Sequence, residues 1–137
     1  MKKFCLVLFV VCVGCSKPEP VLVKTELVSP GTTLKITGPN STILNDIVRG
    51  DSIGLNVLFP VYIMPVDTGM KDFQEPQPGK YRLKGGEVFF TPDTPFKKKK
   101  TYFLRYYSYA LSGDVWEIIK NKRPKGKPPY TDYTFTP

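Results

Sequence analysis

The chain has 137 residues, 41% of them hydrophobic and 23% charged, which is enough for one hydrophobic core and too little for two of any size. It contains no histidine, so Ser-His-Asp and Cys-His catalysis are excluded and the commonest metal ligand is missing. A formal charge of +8 ordinarily suggests nucleic acid as a partner, but the N-terminus points elsewhere.

Lys2 and Lys3 precede an apolar run from Phe4 to Val13, and the run closes on Gly14 and Cys15. A basic pair of this kind holds to the cytoplasmic leaflet, and a run of about ten apolar residues has the length of a signal-peptide core. It is too short for a permanent transmembrane helix, which needs about 20. Residues 1–14 are therefore expected to be removed. The Val13-Gly14-Cys15 ending resembles the lipobox of bacterial lipoproteins, although Cys12 stands where that pattern usually has Leu, Val or Ile.

The resemblance implies that Cys15 is the lipid attachment site and the first residue of the mature chain. It places the protein in the bacterial cell envelope, held at the outer membrane by its lipid, with the face it occupies left open. Several acyl chains, at about 0.8 kcal/mol per buried methylene, anchor far more firmly than one. Cys5 and Cys12 leave with the signal and Cys15 is blocked, so the mature chain has no free thiol and no disulfide. No nucleic-acid partner is expected in that location. The excess charge is concentrated in Lys97 to Lys100 and in Lys120, Lys122, Arg123, Lys125 and Lys127. These clusters are either solvated turns or contacts to anionic headgroups, lipopolysaccharide phosphates or an acidic protein surface.

After Cys15, the stretch Ser16 to Pro20 is polar and proline-bearing and reads as a tether over residues 15–20. A single domain is expected over residues 21–137. Its apolar runs are short and broken by Pro, Gly, Asn and Asp about every ten residues, the spacing of an all-β sandwich or barrel. Helical periodicity is mostly absent. Strands are expected at Val21 to Val28, at Thr33 to Thr37, and at Ser52 to Met64, where Ile53, Leu55, Val57 and Phe59 alternate with Gly54, Asn56 and Leu58 until Pro60 ends or bends the strand.

A polar loop follows from Asp67 to Gly79. Lys80 to Leu83 and Glu87 to Thr91 form a hairpin around Gly85-Gly86. The strongest strand signal is Thr101 to Leu111, with Tyr102, Leu104 and Tyr106 on one face and Phe103, Arg105 and Tyr107 on the other. Asp114 to Lys120 fits either a helical turn or a strand. Tyr133 to Phe135 fits a last strand.

Gly86-Glu87-Val88-Phe89-Phe90-Thr91-Pro92, then Pro95-Phe96, a basic corner and Thr101-Tyr102-Phe103-Leu104, resembles the bacterial Ig-like domains of surface and exported proteins. Leu55 to Phe59 with Met64-Pro65 is weakly similar to another stretch of those domains. The resemblance implies an Ig-like antiparallel β-sandwich with Tyr102 as a tyrosine corner. Lysines replace the usual Pro-Gly of the corner, and the extension from Asp114 to Pro129 is longer than a plain final hairpin.

Asp67-Thr68-Gly69 matches the tripeptide of aspartic proteases, and a chain with one copy could use Asp67 only as a homodimer. Met70-Lys71 after it and Pro65 before it depart from those enzymes, and the same tripeptide is good turn chemistry. Asp67, Asp72 and Glu75 share a loop and are candidate calcium ligands, but their spacing is not that of an EF-hand. No enzymatic activity and no cofactor are expected.

Two binding readings remain. In one, the domain is an accessory of an outer-membrane or surface assembly and docks on a protein partner through edge strands or basic loops. In the other, an aromatic patch including Trp116, Tyr106, Tyr107, Tyr109 and Tyr130 takes a carbohydrate or peptide. The candidate contact residues are Trp116, Tyr107, Tyr109, Tyr130, Lys122 and Arg123.

Overall fold

A computed structural model describes residues 22–29, 31–50, 53–108 and 129–137. Cys15, Tyr109, Trp116, Lys122, Arg123 and the ambiguous stretch 114–120 lie outside them. Among the described residues seven strands form two antiparallel sheets, the all-β sandwich expected from the spacing of the apolar runs. The strands are β1 (Lys24–Val28), β2 (Thr33–Thr37), β3 (Val61–Ile63), β4 (Gly79–Lys84), β5 (Glu87–Pro92), β6 (Tyr102–Tyr107) and β7 (Tyr130–Phe135). One sheet has the order β1-β2-β5-β4 and the other β3-β6-β7, which coincides with the strand order of a seven-stranded constant-type immunoglobulin sandwich. The β4–β5 hairpin turns through Gly85 and Gly86 at φ 60° and 77°, the positive values that a tight two-residue connection requires.

Residues 52–64 are not one strand. They contain a helix, α2 (Ile53–Leu58), followed by the short β3. Burial explains the difference: Leu55, Leu58 and Phe59 are buried while Asn56 and Val57 are exposed, a three- and four-residue spacing rather than alternation. The Phe59 N–H donates to the Leu55 carbonyl at 2.9 Å. A second helix, α1 (Ser41–Gly50), also departs from the expectation of little helical structure. Asn40 starts it by accepting the Thr42 N–H at 2.9 Å, the usual service of an N-terminal Asn. Leu44 and Ile47 form its buried stripe.

The core lies between the sheets. Leu34, Ile36, Val88 and Phe90 meet Val61, Tyr102, Leu104 and Tyr106, and the helices add Leu44, Ile47, Leu55 and Leu58. Burying an aliphatic or phenyl side chain stabilises by about 1.5–3 kcal/mol, so this core carries the cohesion of the sandwich. Phe59 ties α2 to both sheets: its ring stacks on Tyr106 at 5.4 Å, and its carbonyl accepts the Tyr81 hydroxyl at 2.8 Å.

The sandwich has two poles. Antiparallel register places the start of β1, the end of β2 and the β4–β5 turn at one pole, where α1 and α2 also sit. The β1–β2 turn, the end of β5 and the lysine corner Lys97 to Lys100 are at the other. At this second pole Phe96 packs against Tyr102 and Phe135 at 4.9 and 5.3 Å. Tyr102 is 3% exposed, and its hydroxyl oxygen accepts the Lys97 N–H at 2.9 Å. This hydroxyl-to-backbone link across the corner is the one expected of Tyr102.

Candidate functional site: the outer face of the three-stranded sheet

Alternation along β6 sends Phe103, Arg105 and Tyr107 away from the core. Such a face is ordinarily polar and wet, yet Phe103 is fully buried and Arg105 is 5% exposed. The loop between β3 and β4 helps to cover them. Its centre is a 3₁₀ helix, Thr68–Phe73, and Asp67 begins it by accepting the Gly69 N–H at 2.9 Å. The Asp67-Thr68-Gly69 tripeptide thus does turn chemistry here, on the surface.

Cross-strand register assembles the rest. Arg105 stands opposite Asp132, Tyr107 opposite Tyr130, and Phe103 opposite Tyr62. Arg105 makes a two-bond fork to Asp132, Nε to Oδ1 at 2.8 Å and Nη2 to Oδ2 at 3.0 Å. Its Nη1 reaches Asp72 of the 3₁₀ helix at 2.7 Å. Lys71 lies 3.7 Å from Asp132 and 5.3 Å above the Phe103 ring. The guanidinium also lies 3.9 Å from the centre of the Tyr130 ring, close enough for a strong cation–π contact. Tyr62 stacks on Phe103 at 5.0 Å.

The electrostatics follow from these contacts. Hydrogen bonds to Asp132, opposed by desolvation and supported by Asp72, push the Arg105 guanidinium further toward its charged form. Burial, with a smaller contribution from Tyr107, pushes the Tyr62 hydroxyl up to about 12, while Arg105 pulls the other way. Two cations and two carboxylates cancel within the cluster, so it is a clamp that fastens the loop to the sheet. Asp72, one of the three acids considered for calcium, is drawn to Arg105. Among the described residues no group of three or more Cys, Asp or Glu side chains is placed to hold a metal.

Three large apolar or aromatic side chains on β7 and the 3₁₀ helix are open to solvent. Tyr130 is 40% exposed, Met70 46% and Phe73 75%. Met70 and Phe73 are three residues apart in a 3₁₀ helix, so their side chains lie on the same side. Of the aromatic residues proposed from sequence, Tyr107 and Tyr130 come together edge to face at 5.9 Å. Tyr106 does not join them: it turns inward and is 4% exposed, because it shares the face of Tyr102 and Leu104. Tyr109, Trp116, Lys122 and Arg123 fall outside the described residues. The sequence reading missed the partners of Arg105. Its place between Phe103 and Tyr107 on an aromatic strand was a signal, but naming Asp132 required the β6–β7 register.

The lysine corner is a separate feature. Lys97 to Lys100 are exposed, and among the described residues they form no ion pair. The Lys100 N–H closes a turn on the Lys97 carbonyl at 3.2 Å, with Lys99 at φ 63°. Lys98 and Lys99 line one side of an open cleft of about 580 Å³ that Thr32, Pro95 and Phe96 also line. No protein-family model, curated protein or solved structure matches this chain.

Proposed function

We propose that the chain is a lipid-anchored bacterial envelope protein, tethered through Cys15, whose Ig-like domain is a non-catalytic interaction module of an outer-membrane or surface assembly. The anchor reading rests on Lys2-Lys3, the apolar run and Gly14-Cys15. The Ig-like reading draws support from the strand order and from the Tyr102 corner. One observation carries the binding role: on the outer face of the three-stranded sheet the charges are paired internally, while Tyr130, Met70 and Phe73 remain open to solvent. Surfaces of that kind, apolar and aromatic with little charge at the centre, suit protein docking. Tyr130 rests on Arg105 at 3.9 Å and is partly exposed, which also keeps alive a carbohydrate stacked on its ring.

Mass spectrometry of the native protein tests the anchor: the expected product begins at Cys15 and carries acyl chains, and an unmodified thiol there would sink the proposal. Purification from detergent-solubilised envelopes through a C-terminal tag tests the role. A stoichiometric protein complex lost in Phe73→Asp supports docking, whereas retention on immobilised polysaccharide lost in Tyr130→Ala supports the carbohydrate reading.

A further inference from the structure

Among the described residues β4 is the edge of its sheet and carries a row of cations without ion-pair partners. β4 ends the four-stranded sheet and pairs with β5 without a bulge from Gly79↔Pro92 to Lys84↔Glu87. The two-residue turn makes Lys84 and Glu87 a hydrogen-bonded pair. The backbone groups of Lys80, Arg82 and Lys84 therefore point toward β5, and those of Tyr81 and Leu83 point out of the sheet. The side chains divide the other way: Tyr81 and Leu83 pack on the core, while Lys80, Arg82 and Lys84 are exposed on the outer face.

Residues two apart in a strand are about 6.8 Å from one another, so the three cations form an evenly spaced row. Among the described residues none of them makes an ion pair. Edge strands are ordinarily defended by shortness, proline, bulges or covering chain, and the other edges follow that rule. β3 has three residues, and its Val61 carbonyl is already taken by the Gln77 N–H at 2.6 Å. β1 and β7 lie side by side at the opposite flank. β4 has six residues and is touched by α1, but among the described residues the Tyr81 and Leu83 backbone groups make no hydrogen bond outside the sheet.

We propose that the β4 edge docks an extended acidic peptide segment, which joins the four-stranded sheet as a fifth strand and sets carboxylates at alternate positions against Lys80, Arg82 and Lys84. An added strand has the same two-residue repeat as β4, so every second acid meets a cation without adjustment. The tyrosine and leucine backbone groups supply the ladder, as in other strand additions. The same row rejects a second copy of β4, which would oppose like charges. The site lies on a different sheet from the aromatic face and is tested separately from it.

The test uses the full lipidated chain in detergent micelles and two labelled peptides of identical composition. One alternates Glu with Thr over roughly eight residues, and the other carries the same residues as two blocks. The alternating peptide is expected to bind at least about tenfold more tightly, a difference of about 1.4 kcal/mol, and to slow amide exchange at Tyr81 and Leu83. The triple variant Lys80→Gln, Arg82→Gln, Lys84→Gln loses that binding while keeping its near-ultraviolet circular dichroism. If the triple variant fails to fold, Arg82→Gln alone still weakens binding several-fold. Equal binding of the two peptides, unchanged exchange at Tyr81 and Leu83, or no binding would overturn the proposal. Displacement of the peptide by inorganic polyphosphate, with no amide protection by either ligand, would also overturn it by marking a diffuse polyanion surface. None of these outcomes bears on the lipid at Cys15 or on docking at the aromatic face.

Discussion

Arg105 and Asp132 stand opposite one another on adjacent strands and close a fork of 2.8 and 3.0 Å on a sheet face where the arginine is 5% exposed. Removing one partner of a buried pair leaves the other charge without compensation, which costs about 3–5 kcal/mol when burial is complete. The Asp132 side chain keeps 16% of its surface, so Asp132→Ala is expected to cost somewhat less, about 2–3 kcal/mol. The Asp72 side chain is 40% exposed, and Asp72→Ala should cost about 0.5–1 kcal/mol. Urea unfolding of both variants checks the ranking, and equal losses would refute it.

The hydroxyl oxygen of Tyr102 accepts the Lys97 backbone N–H at 2.9 Å, and among the described residues that N–H has no other acceptor. Tyr102→Phe keeps the ring packed on Phe96 and strands the Lys97 amide, for an expected loss of about 1–2 kcal/mol. A fall in the urea midpoint with an unchanged slope is the predicted signature.

Lys99 has φ 63°, where its β-carbon is strained and glycine is not. Lys99→Gly is expected to stabilise by about 0.5–1 kcal/mol, the relief of strain exceeding the added freedom of the unfolded chain. Lys99→Ala keeps the β-carbon and should gain nothing. Thermal unfolding of the two variants side by side distinguishes them.

Three tyrosines couple the fold to alkaline pH. Burial, the first cause in each case, raises the hydroxyls of Tyr62, Tyr81 and Tyr106 above the ordinary 10, that of Tyr62 to about 12. The folded state then holds protons that the unfolded state has released, so stability falls as pH rises. For Tyr62 the contribution is complete below pH 10 and disappears on passing through about 12. Tyrosinate absorbance is expected to rise together with the loss of ellipticity, and Tyr62→Phe should move the alkaline midpoint upward.

Much of the scaffold could be read from residue patterns. Thr33 to Thr37 and the hairpin around Gly85-Gly86 were legible because turn chemistry and alternation agree there. The inward set Tyr102, Leu104 and Tyr106 followed from strand periodicity alone. The stretch from Ile53 to Phe59 misled because seven residues can satisfy a two-residue and a three-to-four-residue repeat at once, and packing against Tyr106 and Tyr81 decided between them. α1 was signalled by Asn40 ahead of Leu44 and Ile47, but one short amphipathic turn or two is a weak signal beside many strands. At the candidate site Tyr107 and Tyr130 were identifiable as aromatics, whereas the Arg105–Asp132–Asp72 cluster depends on register between segments 27 to 33 residues apart.

The polypeptide comes into the domain at Leu22, whose carbonyl lies so close to Gly38 that a β-carbon there would collide with it. That juncture is held against the sandwich at the helical pole, and Lys97 to Lys100 crown the other. Chain entry and the four lysines therefore occupy opposite ends of the domain, so any contact made by Lys97 to Lys100 is made at the tip remote from Leu22.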